Sequence, residues 1–259
     1  HNRVRRQRQM CIRDSSFLET NILGTFNLLQ TFLGYWESNN KPEYWRFLHV
    51  STDEVFGSLG INDQPFNEES RYDPRSPYSA SKASSDHLLK SWCNTYDFPG
   101  ILSNCSNNYG PYQHPEKLIP LTIDRVLKGE YIPIYGKGEN IRDWIFVDDH
   151  CEALLAVLFK GKIGESYCIG GNSEISNLEL VKLILKIIEK NNIGASRNDL
   201  FALIKFVNDR PGHDKRYAID SSKMSKELYW EPKHALVDGL EKTIKWYLNN
   251  QNWLKNFSN

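Results

Sequence analysis

The chain has 259 residues, 40% of them hydrophobic, which is ample for one sizeable core or for two small domains sharing an interface. Lys plus Arg and Asp plus Glu both number 32, so the formal net charge is zero and the basic excess of a nucleic-acid binder is absent. Apolar runs such as 153–159 are far too short for a membrane span, no apolar segment follows the basic N-terminus as in a secretory signal, and the five scattered cysteines form no CxxC pair, which suits a reducing compartment.

Residues 1–15 read HNRVRRQRQMCIRDS and carry no apolar period. Translating ATG TGT ATA AGA GAC AGx gives Met10 to Ser15, which resembles the end of a transposon-type sequencing adapter. The stretch is expected to be an assembly artefact outside the fold. From 16 to 36, Phe17, Leu18, Ile22, Phe26, Leu29 and Leu33 recur at helical spacing. A short β-rich run at 45–50 ends on Ser51-Thr52-Asp53, and Pro77 opens a helix running to about Tyr96. Residues 100–105 read as a buried strand. Strand, long loop, helix and strand in that order predict an α/β fold with a doubly wound parallel sheet. Residues 106–116, rich in Asn, Gly and Pro, read as a functional loop rather than an element. After it, strands are predicted at 131–135, 142–147, 166–169 and 204–207. Helices are predicted at 118–127, 148–159, 177–190 and 237–248, so a smaller α/β domain is laid over the first.

Tyr78 and Lys82 stand at i and i+4, on one face of their helix. An ammonium close to a phenol favours phenolate, so the spacing predicts a lowered Tyr78 pKa and a base for a substrate hydroxyl. Thr52 falls at the carboxyl end of a strand, where ligands gather in open α/β sheets. The Asp53-Glu54 pair follows it directly. Two carboxyls at the mouth of a site can divide acid and base roles when their surroundings push their pKa values apart. A plain alcohol dehydrogenase needs no such pair; a dehydratase does, because one group removes a proton while another protonates the departing hydroxyl.

Ser51-Thr52-Asp53-Glu54-Val55-Phe56-Gly57 and Tyr78-Ser79-Ala80-Ser81-Lys82-Ala83-Ser84-Ser85-Asp86-His87 resemble the active-site region of the dTDP-glucose 4,6-dehydratases, members of the extended short-chain dehydrogenase/reductase family. So do Asn104-Cys105-Ser106-Asn107-Asn108-Tyr109-Gly110-Pro111, Pro115-Glu116-Lys117-Leu118-Ile119-Pro120, Arg142-Asp143-Trp144 and Asp209-Arg210-Pro211-Gly212-His213-Asp214. The likeness runs from about Phe17 to Trp253. It implies a Rossmann-like fold, NAD as cofactor, a nucleotide-sugar substrate, a cytoplasmic homodimer and a place in deoxysugar biosynthesis. In such an enzyme Tyr78, helped by Thr52 and Lys82, takes the proton of the sugar C4 hydroxyl as C4 is oxidised. Glu54 removes the C5 proton and Asp53 protonates the C6 hydroxyl. The resemblance also implies that Thr20, Asn108, Tyr78 and Lys82 touch NAD. Thr52, Asn107, Lys117, Leu118, Arg142, Asn177, Arg210 and His213 would hold the substrate, with Pro133, Ile134 and Tyr135 lining the base pocket. Arg and Lys suit a diphosphate. His49, His87, His114, His150 and His234 read as structural or surface groups, and no metal cluster is expected.

The chain departs from this pattern in one respect: it contains no GxxGxxG motif, the loop in which backbone amides and a helix N-terminus hold a pyrophosphate. It therefore reads as N-terminally truncated. Residues 16–117 would be a partial NAD-binding domain with the catalytic residues, and 118–259 mainly substrate-binding. A chain lacking several buried parallel strands is expected to fold poorly alone and not to turn over. Three alternatives remain: a UDP-glucose 4,6-dehydratase; an epimerase or decarboxylase of the same superfamily, which Asp53-Glu54 argues against; and a non-enzymatic binding relative, which has no need of Thr52, Tyr78 and Lys82.

Overall fold

A computed structural model describes residues 14–191, 199–209 and 212–255. The first layer is a parallel sheet of β1 (Phe47–Thr52), β2 (Gly100–Cys105) and β6 (Ser166–Ile169), in the order β1-β2-β6. Every residue of β2 is buried, as a central parallel strand covered on both faces must be. Successive side chains alternate faces. Leu102 joins a cluster with Leu29, Leu33 and Trp36 of helix α1 (Gly24–Ser38) and Leu89 of helix α2 (Pro77–Tyr96). Its neighbour Ile101 joins the opposite cluster. There Ala153 and Val157 of α4 (Val147–Lys160) pack beside Met224 and Leu228 of α6 (Ser222–Leu228). The sheet is thus sandwiched by helices, the α/β arrangement the sequence predicts. Its third strand and the helix preceding that strand both lie beyond residue 118.

Two smaller sheets stand beside it. β3 (Asn107–Tyr109) runs parallel to β5 (Ile141–Phe146), which pairs antiparallel with β7 (Glu174–Ser176). β4 (Ile132–Tyr135) runs parallel to β8 (Ile204–Val207). Helices α3 (Leu118–Lys128), α5 (Asn177–Lys190) and α7 (Leu236–Asn249) cover them and enclose the largest apolar cluster, built around Ile123, Leu180, Ile184, Leu240 and Ile244. The short α8 (Gln251–Lys255) ends the described chain.

Two sequence expectations change. Residues 106–116 are not wholly loop, because Asn107 and Asn108 pair in register with Trp144 and Ile145; the partner strand supplies ladder bonds that an Asn- and Gly-rich stretch does not advertise. The single helix expected over 16–36 instead contains a π-helical stretch, Leu18–Leu23, ahead of α1. Leu18 and Phe26 lie exposed while Leu29 and Leu33 are buried, so the apolar stripe is wider than the face that packs. Of the expected artefact stretch, residues 1–13 lie outside the described residues; Asp14 and Ser15 are helical.

Candidate active site

The site forms where β1 ends. Thr52 is the last residue of β1 and caps a single 3-10 turn, Asp53–Phe56; its Oγ1 accepts from the Glu54 backbone N–H at 3.3 Å and donates to Asp53 Oδ1 at 3.3 Å. Gly57 closes the turn at φ +90°, and a Cβ there would come within 2.6 Å of the Asp73 carbonyl oxygen, so only glycine fits. Facing this turn, α2 starts at a capping box: Ser76 Oγ accepts from Ser79 N at 3.1 Å and Ser79 Oγ accepts from Ser76 N at 2.9 Å, with Pro77 in the first turn. This start places Tyr78 and Lys82 over the end of β1. Lys82 Nζ donates to the Val50 carbonyl at 2.7 Å. The π-helical stretch closes over the same helix: Asn21 Nδ2 donates to Ser81 Oγ at 2.9 Å, and the ring of Phe17 meets that of Tyr78 edge-on at 5.4 Å.

Electrostatics separate the groups. Asp53 is 2% exposed, and its Oδ2 is buried without a hydrogen-bond partner. Burial first, then the charges of Glu54 and Asp143, hold its carboxyl well above the usual range, only partly opposed by Arg142. Tyr78 departs from the sequence expectation: its phenol is raised rather than lowered, by burial and then by Glu54, while Lys82 spends its donor on Val50 and is itself pushed down by burial. Desolvation is the first cause of that rise.

Arg142, on β5, is 7% exposed. Its guanidinium donates to the carbonyls of Ile141 at 2.7 Å and Asp214 at 2.9 Å and stacks on Tyr217 at 4.3 Å. Asp53 and Glu54 both act on it, so it shares their field. A second group lies around β4. There Asn177 N bonds the Asn140 carbonyl, and His213 Nδ1 pairs with Asp209 Oδ1 at 2.7 Å. Asp209 in turn lies against Gly136, one residue beyond Tyr135. Asn107 and Asn108 sit on β3, and each keeps a buried side-chain carbonyl oxygen with no partner.

The structure therefore gathers Thr52, Asp53, Glu54, Tyr78, Lys82 and Arg142 at one place, and Pro133, Tyr135, Asn177 and His213 on neighbouring ground. Leu118 is half-buried against the large core as α3 begins, Lys117 is exposed at its cap and Thr20 is exposed in the π-helical stretch. Arg210 lies outside the described residues. Sequence reading missed Tyr217, Asp143 and Asp86. Asp86 had a signal, since it continues the Tyr78, Lys82 spacing by four more residues. Among the described residues no group of three His, Cys, Asp or Glu side chains could hold a metal ion, and no helix is long and apolar enough to cross a membrane. His49 and His150 are buried, His150 pushed down to about 4 by desolvation, while His87 and His114 lie at the surface. His234 bonds Asp149 and Lys242.

The family model described as GDP-mannose 4,6 dehydratase matches residues 12–243. The chain is 51% identical to a dTDP-glucose 4,6-dehydratase of Neisseria meningitidis serogroup B over 249 residues, covering 94% of this chain and 70% of that relative. Among solved structures, a dTDP-glucose 4,6-dehydratase from Bacillus anthracis in complex with NAD superposes with a TM-score of 0.81 at 44% identity, over 93% of this chain and 71% of that one. One from Streptomyces venezuelae, with NAD and TYD bound, gives 0.84 at 41% identity, over 95% of this chain and 70% of that one.

Proposed function

The chain belongs to the family of dTDP-glucose 4,6-dehydratases, NAD-dependent nucleotide-sugar lyases, and from that premise we propose that it converts dTDP-glucose to the 4-keto-6-deoxy sugar and water through the residues at the end of β1. The observation that carries the residue assignment is Asp53: a buried carboxyl, biased to stay protonated, with one oxygen left without a partner beside Glu54. Hydride exchange alone has no use for such an acid. Expulsion of a hydroxide does.

The residues present fit the nicotinamide-ribose end of NAD. The buried, unpaired Oδ1 of Asn108 can accept a donor, and Lys82 and Tyr78 present an amine and a hydroxyl from one helix face. NAD, when bound, supplies the two-electron acceptor for oxidation at C4 and gives the same equivalents back at C6, and its positive ring favours phenolate at Tyr78. Tyr78 then accepts the C4 hydroxyl proton, with Thr52 Oγ1 oriented by the Glu54 amide as its hydrogen-bonding partner on the sugar. The 4-ketone acidifies C5–H; Glu54 removes that proton and returns one to C5 once C6 has been reduced. Asp53 gives its proton to the C6 hydroxyl, which leaves as water. Arg142, Lys117, Arg210 and His213 meet the diphosphate. Asn107, Leu118 and Asn177 complete that surface, and Pro133 and Tyr135 line the base. Thr20 adds a contact to the cofactor. Residues 16–117 carry the cofactor and catalysis, and 118–259 mainly substrate binding, in a cytoplasmic homodimer.

The test incubates the NAD-loaded holoenzyme, expressed from its native gene, with dTDP-glucose and separately with UDP-glucose. The 4-keto product is read by its absorbance in alkali. Product from dTDP-glucose supports the reading, product from UDP-glucose alone moves the base preference, and no product from either overturns it.

A further inference from the structure

The helix that carries Tyr78 and Lys82 and the strand end that carries Thr52, Asp53 and Glu54 are separate pieces of chain, and catalysis needs them in fixed register. Asp86 lies on α2 one turn past Lys82 and two past Tyr78, on the same helix face. It is fully buried, at 0% exposure. Its carboxyl collects four donors. Oδ1 accepts from His49 Nε2 at 3.1 Å. Oδ2 accepts from Ser51 Oγ at 2.8 Å, from the Tyr72 hydroxyl at 3.0 Å and from Asn104 Nδ2 at 3.4 Å.

The donors come from three segments around the site. His49 and Ser51 are on β1, Asn104 is on β2 in register with Ser51, and Tyr72 is in the segment leading to α2. Ser51 is the residue bonded to Thr52, and the same Asn104 amide donates to the Thr52 carbonyl at 3.1 Å. A single carboxylate therefore grips the neighbour of Thr52 directly and Thr52 itself through one amide. Apolar packing would also hold a helix on a sheet, and at a lower desolvation cost, but it permits sliding that short directional bonds do not.

We propose that Asp86 is the positioning residue that registers the Tyr78–Lys82 helix against the Thr52–Glu54 strand end, a role that rests on reading those residues as the dehydratase site. Asp86 sits beneath the reacting groups and touches neither sugar nor cofactor. It acts by fixing where the Tyr78 hydroxyl stands relative to Thr52 Oγ1.

The experiment measures the parent holoenzyme first and then Asp86→Asn, which keeps the volume but removes the charge and turns an amide N–H against Asn104. A misplacement of about 1 Å costs about 10²-fold in rate, so kcat for dTDP-glucose is expected to fall by about 100-fold with KM held within about threefold and NAD content unchanged. The loss falls on the first step, so in a single turnover NADH absorbance rises about 100-fold more slowly and does not accumulate. A purely structural role would instead reduce the number of NAD-loaded sites and leave the rate per loaded site at the parent value; that result overturns the proposal, as does turnover within about threefold of the parent. If Asp86→Asn does not fold, Ser51→Ala decides, because it removes one bond and unpairs no charge. A fall in kcat of about tenfold at unchanged KM is expected, and an effect below about twofold overturns the proposal. An inactive parent counts against the dehydratase reading and this proposal together, whereas an active parent with an unaffected Asp86→Asn counts against this proposal alone.

Discussion

Around the end of β1 the buried positions hold Ser51, Asp53, Asp86, Ser103 and Asn104. Beneath β4, β5 and α5 they hold Ile132, Ile134, Leu180, Val181, Ile184 and Leu185. Both regions exclude water, but they use that exclusion differently. In the first, low dielectric raises the stakes of every charge, lifting Asp53 and Tyr78 above their ordinary values and making each unpaired oxygen costly. In the second, burial supplies stability, and three of the groups expected to bind substrate, Tyr135, Lys117 and His213, are exposed or half-buried, whereas Arg142 is buried with the first region.

Four substitutions probe that contrast, from the largest effect to the smallest. Glu54→Gln should block C5 deprotonation while leaving the oxidation at C4 intact, lowering kcat by about 10³-fold, within the usual span for a lost general base. In a single turnover NADH absorbance should build up with little dehydrated sugar; its failure to appear would move Glu54 to an earlier step. On the apolar side, Ile184→Ala removes a fully buried side chain and should cost about 2–5 kcal/mol, read by denaturant unfolding. Turnover per folded molecule should stay near the parent value, and a matching collapse in kcat would mean the two regions are not separable.

Asp53→Asn should lower kcat by about 10²-fold and at the same time alter the response to pH. The sign follows from the raised carboxyl. The folded chain holds that proton more tightly than the unfolded chain, so the stabilising contribution is complete below the ordinary carboxyl value of 3.8 and is lost as pH rises through the raised folded pKa. Across that window the melting temperature of Asp53→Asn should gain on the parent as pH increases; a constant difference would show that Asp53 ionises normally. Smallest of the four, His213→Ala should raise KM for the nucleotide sugar by about tenfold with kcat little changed, the mark of an interaction made equally in ground and transition states.

The sequence made the candidate site at the end of β1 legible because its residues are local. Thr52, Asp53 and Glu54 are consecutive, and Tyr78 and Lys82 are one helical turn apart, so neither set needs a three-dimensional argument. The sheet was legible for a related reason: Gly100–Cys105 opens on the apolar run Gly100-Ile101-Leu102 before Ser103 and Asn104, and the helices beside it keep a 3.6-residue period. What stayed hidden depends on distant chain. Strand pairing by Asn107 and Asn108 exists only because Trp144 and Ile145 come alongside. The raised Tyr78 phenol reflects burial, which the Tyr–Lys spacing does not report. Asp86 stands on the same helix face as Tyr78 and Lys82, but its four donors come from 14 to 37 residues away, and no spacing rule joins them.

The central claim is that this site dehydrates a sugar by oxidising and re-reducing it within a single turnover. Incubating the NAD-loaded holoenzyme with dTDP-glucose deuterated at C4 tests it most directly, with mass and position of the label read in the product. The account predicts a 4-keto-6-deoxy sugar carrying the deuterium at C6, with no net change in NADH. A 4-keto product without label at C6, or an unchanged sugar that has only exchanged or inverted at C4, would contradict it.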